Sequence, residues 1–356
     1  MKLSYHPLEI PYEFTFTISR ASHTQATTII ITLEYMHEGQ LYTGLGEAVP
    51  SAFYNETPQT VSAFYDRLNA EGLLQGLSPF DIQKLHTQFS ALKGNLAAKS
   101  AIDMAFYDLQ GKILNMPLWR LWGLDPAQAP GSSYTIGIAD KETVQHKTET
   151  ALARGYSILK VKLGSPDDVA LFELIRAMAP DVTIRVDANA AWPVQDAIDI
   201  CQLLAKHRVE FVEEPLKLDS TEEDYARLKA ESALPLMADE SCHLLSDIPR
   251  CARYFHAINL KHTKTGGLTE AMRMIHAARA HNLTIMLGGF GESSLSVTAF
   301  AQLAPLVDYC DLDGALLMAE DAYEGIVFNG SQFTLPDRPG LGVIPRIGSG
   351  KIRQIA

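Results

Sequence analysis

Eight short apolar runs recur along the second part of the sequence, at intervals of roughly 20–27 residues. They are SYTIGI (133–138), SILKVKLG (157–164), VTIRVDAN (182–189), VEFVEEP (209–215), LPLMADES (234–241), HAINLKHTK (256–264), LTIMLGG (283–289) and LVDYCDLD (306–313). Helix-like stretches such as PVQDAIDICQLLAKH (193–207) separate most of them. Alternating strands and helices predict parallel strands, and eight such units predict an α/β protein with a TIM-type barrel. We assign this (β/α)7β barrel to residues 126–320.

The first 125 residues have a different pattern. The stretch TTIIITLEYMHEGQLYTGLGEAVP (27–50) predicts a β-hairpin with a polar turn, and three helical patterns follow it. The Pro- and Gly-rich stretch GLDPAQAPGSS (123–133) is typical of a boundary. We therefore expect an α+β capping domain over 1–125, completed by a C-terminal segment, 321–356, that returns to it.

Composition excludes several classes of partner. The chain has 30 Lys and Arg against 42 Asp and Glu, a net charge of −12, whereas nucleic acids and anionic membrane surfaces require basic patches. The start, MKLSYHPLEIPYEF, has no apolar core of signal-peptide length, and no stretch approaches the roughly 20 apolar residues of a membrane-spanning helix. The four cysteines form no CxxC pair, which favours reduced thiols in a cytoplasmic protein. We expect a small-molecule substrate, and the sequence leaves a homo-oligomer open.

Polar or ionisable side chains end each of the last seven runs. They are Lys160 and Lys162, Asp187 and Asn189, Glu213 and Glu214, Asp239 and Glu240, Lys261 and Lys264, Glu292, and Asp311 and Asp313. The carboxyl ends of barrel strands converge on one face, where barrel active sites lie. A structural ion pair explains any one of these sites, but seven in succession favour a functional site.

Three of these acids suit a metal ion. Asp187, Glu213 and Asp239 end adjacent runs, and a few carboxylates completed by water or substrate are what Mg²⁺ binds. The sequence therefore predicts one Mg²⁺ at this face of the barrel.

Lysines flank the acids in strand order. Lys160 and Lys162 alternate in one strand and so point to the same side of it, while Lys264 follows a nearly opposite strand. A second cation disfavours the charged form of a lysine, which would bring the pKa of Lys162 toward the range of a base. The set predicts proton abstraction next to a carboxylate, with the metal stabilising an enediolate.

These run ends resemble the enolase superfamily, specifically its muconate-lactonising subgroup, over nearly the whole chain. The matching motifs are KVK (160–162), VDAN (186–189), VEEP (212–215), ADES (238–241), NLKHTKTGG (259–267) and GGFGES (288–293). A lysine base with a Mg²⁺-stabilised enediolate is the known pattern of that superfamily.

The resemblance implies a role for each matching residue. Lys162 and Lys264 would be the acid/base pair, and Lys160 would contact the substrate carboxylate. Lys261 would have a supporting electrostatic role. The metal ligands would be Asp187, Glu213 and Asp239.

The last run narrows the activity within the subgroup. CDLDG (310–314) carries Asp311 and Asp313, which have no part in proton abstraction. They could be a second metal site or surface charge, or a clamp for a substrate ammonium. The pair, followed by ALLMAED, is similar to that of the dipeptide epimerases of the L-Ala-D/L-Glu type, where it holds the free amino terminus. The resemblance implies a Mg²⁺-dependent dipeptide epimerase, and Thr135 matches a position beside the substrate.

Substrate preference is left open by the sequence. The stretches ISRASHT (18–24) and PSAFYNE (50–56) are expected to cap the barrel. Arg20 lies close to, but not on, the position where glutamate-preferring members have an arginine, so it is a candidate contact for an acidic second residue. Phe53 and Tyr54 equally favour an apolar one, or simply pack the cap. The sequence does not fix the roles of Glu240, Lys261 and Glu292.

Other activities compete with this interpretation. An o-succinylbenzoate synthase or a muconate cycloisomerase would leave the acidic pair of the last run without a ligand. A Schiff-base aldolase would use Lys162 or Lys264, and a non-catalytic barrel would only bind peptide or metal. The sequence contains no HExxH, no GxSxG and no complete GxGxxG motif.

Overall fold

The computed structural model describes residues 1–346 and the backbone of Arg353–Gln354. Its N-terminal part pairs three strands in antiparallel order and then adds helices. The elements are β1 (Lys2–Ile18), β2 (Ala21–His37), β3 (Gln40–Ala48), α1 (Pro58–Ala70), α2 (Ile82–Ala91), α3 (Leu96–Ile113) and α4 (Leu118–Leu121). The hairpin predicted over 27–50 is present in β2 and β3, whereas β1 was not predicted.

Within residues 1–346, eight parallel strands form the second sheet, each hydrogen-bonded to the next along the chain. They are β4 (Tyr134–Ile136), β5 (Ile158–Lys162), β6 (Thr183–Asp187), β7 (Val209–Glu213), β8 (Leu236–Ala238), β9 (Ala257–Leu260), β10 (Thr284–Gly288) and β11 (Tyr309–Asp311). A parallel bridge between Ser132 and Cys310 joins the first strand to the last. The predicted TIM-type barrel is confirmed.

Helices connect the strands and cover the barrel. They are α5 (Lys141–Ala153), α6 (Asp168–Met178), α7 (Val194–Lys206), α8 (Glu222–Glu231), α9 (Ile248–Tyr254), α10 (His262–Thr265), α11 (Leu268–Ala280) and α12 (Ser294–Ala301). A short 3-10 turn, Gly314–Leu317, follows β11 in place of a helix. The architecture is therefore (β/α)7β.

Short strands follow the barrel. They are β12 (Tyr323–Glu324), β13 (Val327–Asn329), β14 (Gln332–Thr334), β15 (Ile344–Pro345) and β16 (Arg353–Gln354). The backbone of β16 pairs antiparallel with β1 in the N-terminal sheet. Residues 347–352 and 355–356 of the predicted C-terminal segment lie outside the described residues, and the division into 1–125, 126–320 and 321–356 stays a prediction.

Strand β5 explains how charged side chains lie inside an apolar barrel. Leu159 and Val161 belong to the large apolar cluster that also contains Phe172 of α6. Because successive side chains of a strand point to opposite faces, Lys160 and Lys162 point into the barrel.

The N-terminal domain is fixed on the barrel through α3. A Cβ atom at Gly44 or Gly46 of β3 would overlap carbonyl oxygens of α3, so these glycines permit close packing of that helix. On the barrel side, Asp103 of α3 accepts hydrogen bonds from the amide (3.0 Å) and the hydroxyl (2.6 Å) of Thr269. No helix among the described residues is long and apolar enough to cross a membrane.

Candidate active site

Three buried carboxylates meet at the mouth of the barrel. Asp187 and Glu213 end β6 and β7, and Asp239 directly follows β8. One oxygen of each lies within 4.8 Å of the others. Consecutive parallel strands bring their carboxyl ends side by side, which is why residues 26 positions apart in sequence converge here. We call these residues the acidic trio.

The donor set of the acidic trio fits a hard divalent cation. Burial, with the nearby charge of Asp187, raises the pKa of Glu213 to about 8, and a cation beside it would favour the charged carboxylate. Asn259 Nδ2 donates to Glu213 Oε1 at 2.7 Å, and the Asn189 amide donates to Asp187 Oδ1 at 2.9 Å. Such bonds orient carboxylates that bind a metal.

Lys160 and Lys162 reach the acidic trio from β5. Lys162 Nζ lies 2.5 Å from Asp187 Oδ2. Lys160 Nζ lies 2.7 Å from both Glu213 and Asp311. Burial opposes the charged form of Lys160, but the carboxylates of Asp311, Glu213 and Asp187 outweigh it and raise its pKa well above the ordinary value. Lys160 is therefore suited to bind an anion rather than to exchange a proton.

Lys261 and Lys264 approach from the opposite side of the acidic trio. Lys264, on α10, lies 2.6 Å from both the carboxylate and the backbone carbonyl of Asp239. Lys261 Nζ is 2.6 Å from the other carboxylate oxygen and 4.7 Å from the centre of the Phe290 ring. Lys162 and Lys264 thus flank the trio, each beside a different acid.

Asp311 and Asp313 form a second acidic group across the mouth. Ser133 Oγ donates to Asp311 Oδ1 at 2.6 Å, and the Thr135 amide donates to Asp313 Oδ2 at 2.6 Å. Burial and the charge of Asp311 raise the pKa of Asp313 to about 7. This crowding favours a cationic ligand between the two carboxylates.

A cavity of about 440 Å³ lies beside these groups at the mouth of the barrel, and none of the acidic trio is among its lining residues. The barrel contributes polar and charged side chains to its wall: Thr135, Lys160, Lys162, Asn189, Lys261, Asp311 and Asp313. The N-terminal domain contributes mainly aromatic and apolar ones, including Tyr12, Phe16, Ile18 and Phe53. Lys264 is not among the lining residues and is buried beside Asp239.

Arg20 also lines the cavity, but its charge is engaged. Its Nη2 lies 2.5 Å from Glu240 Oε1, and its Nη1 donates to the Asn189 carbonyl at 3.0 Å. The guanidinium carbon lies 4.3 Å from the centre of the Phe53 ring. Tyr54 is not among the lining residues. Its ring contacts the Phe290 ring edge-on, with centroids 6.1 Å apart.

Of the acids at the seven run ends, only Asp311 and Asp313 line the cavity, and two of the others, Glu214 and Glu292, bond neighbouring parts of the barrel. Glu214 accepts hydrogen bonds from the Asp239 amide (2.7 Å) and the Ser241 amide (3.0 Å), so it fixes the turn that carries Asp239. Glu292 Oε2 lies 2.8 Å from Nε2 of His262, a residue that the sequence analysis did not single out. Asn259, the hydrogen-bond partner of Glu213, was also not singled out from the sequence. Its one signal there is that it is a polar residue within the otherwise apolar strand β9.

Comparison with known proteins identifies relatives of the whole chain. The chain is 35% identical over 346 residues to the L-Ala-D/L-Glu epimerase of Bacteroides thetaiotaomicron, covering 97% of this chain and 88% of that protein. It is 36% identical over 350 residues to the hydrophobic dipeptide epimerase of Roseobacter litoralis, covering 96% and 98%. The structure of a dipeptide epimerase from Cytophaga hutchinsonii, complexed with Mg and the dipeptide D-Ala-L-Val, superposes with a TM-score of 0.88 at 28% identity, covering 100% and 99%.

Two family models match adjacent parts of the chain. Residues 7–123 match the mandelate racemase / muconate lactonizing enzyme N-terminal domain, and residues 143–346 match the enolase C-terminal domain-like model. Together with the barrel and the acidic trio, these matches show that the chain belongs to the mandelate racemase / muconate lactonizing enzyme family of the enolase superfamily.

Proposed function

We propose that this protein is a Mg²⁺-dependent dipeptide epimerase that inverts the α-carbon of the C-terminal residue of a dipeptide by two-base proton transfer. One observation carries the proposal: Lys162 and Lys264 flank a buried acidic trio on opposite sides. The relatives named as dipeptide epimerases support it.

The two ends of a dipeptide fit the two charged regions of the cavity. The ammonium group would lie between Asp311 and Asp313, beside Thr135, and would bind through charge-assisted hydrogen bonds. The carboxylate would contact Lys160, whose ammonium is held charged by its acidic neighbours.

The acidic trio would hold the cation. Bound Mg²⁺ supplies positive charge that stabilises the substrate carboxylate as its adjacent carbon loses a proton. This chain's residues supply the remaining functions, which are binding, orientation and the transfer of protons.

Lys162 and Lys264 would exchange protons with opposite faces of the α-carbon. In one direction, neutral Lys162 takes the α-proton while charged Lys264 donates a proton to the other face. In the reverse direction the roles are exchanged, so no proton is gained or lost. Asp187 and Asp239 orient the two amines through the contacts described above.

The setting is consistent with a reducing compartment. All four cysteines are buried free thiols. This supports a cytoplasmic location.

Deuterium exchange tests the proposal. The protein with Mg²⁺ is incubated in D₂O with L-Ala-containing dipeptides that differ in the second residue, and the α-positions are followed by NMR. We expect deuterium at the second α-carbon together with both epimers, and loss of both after chelation of Mg²⁺. Absence of exchange across acidic, apolar and basic second residues would contradict the proposed function.

Chemical trapping separates the proposal from the aldolase alternative. A Schiff base on Lys162 or Lys264 would be trapped by borohydride and would form without Mg²⁺. We expect no borohydride-dependent loss of activity.

A further inference from the structure

A buried hydrogen-bonded chain lies on the side of α10 away from the acidic trio. His262 Nε2 lies 2.8 Å from Glu292 Oε2, and His262 Nδ1 lies 3.0 Å from Ser100 Oγ. All three side chains are fully buried. This hydrogen-bonded chain of side chains joins three parts of the fold, which are α3, the start of α10, and the loop between β10 and α12.

Both ring nitrogens of His262 have a hydrogen-bond partner. A carboxylate only accepts hydrogen bonds, so His262 donates from Nε2 to Glu292. Nδ1, on the other side of the ring, lies within hydrogen-bond distance of the Ser100 hydroxyl. The ring also packs edge-on against Phe300, with centroids 5.7 Å apart, so both its plane and its polar atoms are fixed.

Helix geometry connects this chain to the active site. His262 and Lys264 are two positions apart on α10, and an α-helix turns about 100° per residue. Their side chains therefore leave α10 in nearly opposite directions. His262 bonds to Glu292 on one side of the helix, and Lys264 contacts Asp239 on the other.

The short helix α10 is buried, and among the described residues its side-chain bonds to other parts of the fold come from His262, Thr263 and Lys264. It has four residues and ends at Gly266 and Gly267, both with positive φ. Thr263 Oγ1 donates to the Val49 carbonyl at 3.2 Å, which is a further tie to the N-terminal domain. A four-residue helix has one turn of backbone bonds and is not stable alone, so its packing and its side-chain bonds to the rest of the fold set its orientation.

We propose that the chain Ser100–His262–Glu292 positions Lys264 for proton transfer, which makes His262 and Glu292 positioning residues. The inference rests on the function proposed above. It assigns a role to Glu292. One carboxylate oxygen of Glu292 bonds to His262, and the other lies close to Gly289, which lines the cavity. Neither His262 nor Glu292 is among the residues that line the cavity.

Epimer-resolved exchange tests the proposal, because each lysine acts on one epimer. Exchange in D₂O is started separately from each epimer of an active dipeptide, and Lys264→Ala identifies the epimer that depends on Lys264. His262→Gln should lower exchange of that epimer by about 10- to 100-fold, since small misplacements of a catalytic group have effects of this size. Exchange of the other epimer should stay within about threefold.

Graded variants of Glu292 test the bond itself. Glu292→Leu should reproduce the asymmetric loss, whereas Glu292→Gln keeps an acceptor for Nε2 and should restore part of the lost exchange. In the double variant His262→Gln/Glu292→Leu, the loss of exchange should be no larger than the larger of the two losses in the single variants, because both changes break the same bond. Ser100→Ala, a small change on α3, should give a weaker loss for the same epimer.

His256→Gln is the matched control. His256 directly precedes β9 at the opposite end of the barrel, where its Nδ1 accepts from the Leu236 amide at 3.0 Å. This variant should leave the ratio of the two exchange rates unchanged. Equal losses for both epimers in the His262 and Glu292 variants, or no loss, would overturn the inference, whereas failure of the unmodified protein to exchange any dipeptide would overturn the proposed function instead.

Discussion

The barrel and the N-terminal domain line the same cavity with different kinds of side chain. The barrel contributes lysines and the carboxylates of Asp311 and Asp313, and Lys160 and Lys162 contact acidic side chains at 2.5–3.2 Å. The N-terminal domain contributes aromatic rings and Arg20, whose side chain is 31% exposed. The difference indicates that the barrel carries the chemistry, while the N-terminal domain shapes the space around the substrate side chains. Changes in the barrel should therefore cost far more activity than changes in the N-terminal domain.

The largest effect is expected from a change in the acidic trio. Glu213→Gln removes a charged ligand oxygen, and we expect loss of epimerisation by about 10³-fold or more, as for an essential metal-binding group. Mg²⁺ affinity, measured by calorimetry, should fall by at least about tenfold.

A second residue of β7 provides the control for this change. Glu210, near the opposite end of the strand, contacts Arg185 Nε at 2.7 Å. Glu210→Gln should keep Mg²⁺ affinity and exchange within a few-fold of the unmodified protein. Equal losses in the two variants would remove the distinction between the ends of the barrel.

A smaller effect is expected at the second acidic group. Asp313→Asn weakens a charge-assisted contact to the substrate ammonium, and we expect kcat/KM for a free dipeptide to fall by about 10- to 100-fold. The unmodified protein should discriminate strongly against an N-acetylated dipeptide, and the variant should discriminate less. If Asp313→Asn lowers kcat/KM for the free and the N-acetylated dipeptide in equal proportion, Asp311 and Asp313 do not bind the substrate ammonium.

A still smaller effect is expected for Arg20 in the N-terminal domain. Arg20→Met removes the ion-pair partner of Glu240, which still accepts a hydrogen bond from Asn189. We expect kcat/KM for a dipeptide with an apolar second residue to fall by less than about tenfold, since Arg20 is partly exposed. Arg20→Lys, which keeps the charge, should lose less. A selective loss of about 100-fold for an acidic second residue would instead show that Arg20 binds the substrate side chain.

The smallest effect on activity is expected from a change of His86, at the contact between the N-terminal domain and the barrel, where we expect an effect on stability instead. His86 of α2 contacts Asp103 and Glu270 of α11, and these carboxylates outweigh burial and raise its pKa to about 9. The folded-state pKa lies above the unfolded value of about 6.5. The stabilisation is therefore complete below pH 6.5 and is lost as the pH rises through about 9.

Urea unfolding at pH 6, 8 and 10 measures this contribution. The difference in unfolding free energy between the unmodified protein and His86→Gln should shrink by about 2 kcal/mol from pH 6 to pH 10. His207→Gln is the control, because His207 packs against the Phe172 ring rather than between carboxylates. A difference that stays constant for His86→Gln would show that the interface does not hold a charged histidine.

The barrel and most of the site were predictable because their signals are local. Alternating strands and helices repeat along the chain, and each strand end marks where its polar residue will lie. The acidic trio needs only the rule that parallel strands end on one face. Strand β1 was missed because Pro7 and Pro11 interrupt a stretch whose burial alternates irregularly.

Pairings between distant side chains could not be predicted. Ser100 and His262 are 162 positions apart, and Arg20 is 220 positions from Glu240. Nothing in the local pattern around these residues distinguishes a partner from any other polar side chain. Such contacts depend on how the N-terminal domain sits on the barrel, which is set by packing over the whole interface.

Glu47 makes the two regions interdependent at one further point. This carboxylate, from the end of β3, accepts hydrogen bonds from the amides of Ser293 and Ser296 and from the Ser293 hydroxyl, at the start of α12. A barrel expressed alone would leave those amides without their acceptor. A chimera that exchanges the N-terminal domain must therefore present an acid at the same place, which limits how freely substrate preference can be transplanted between relatives.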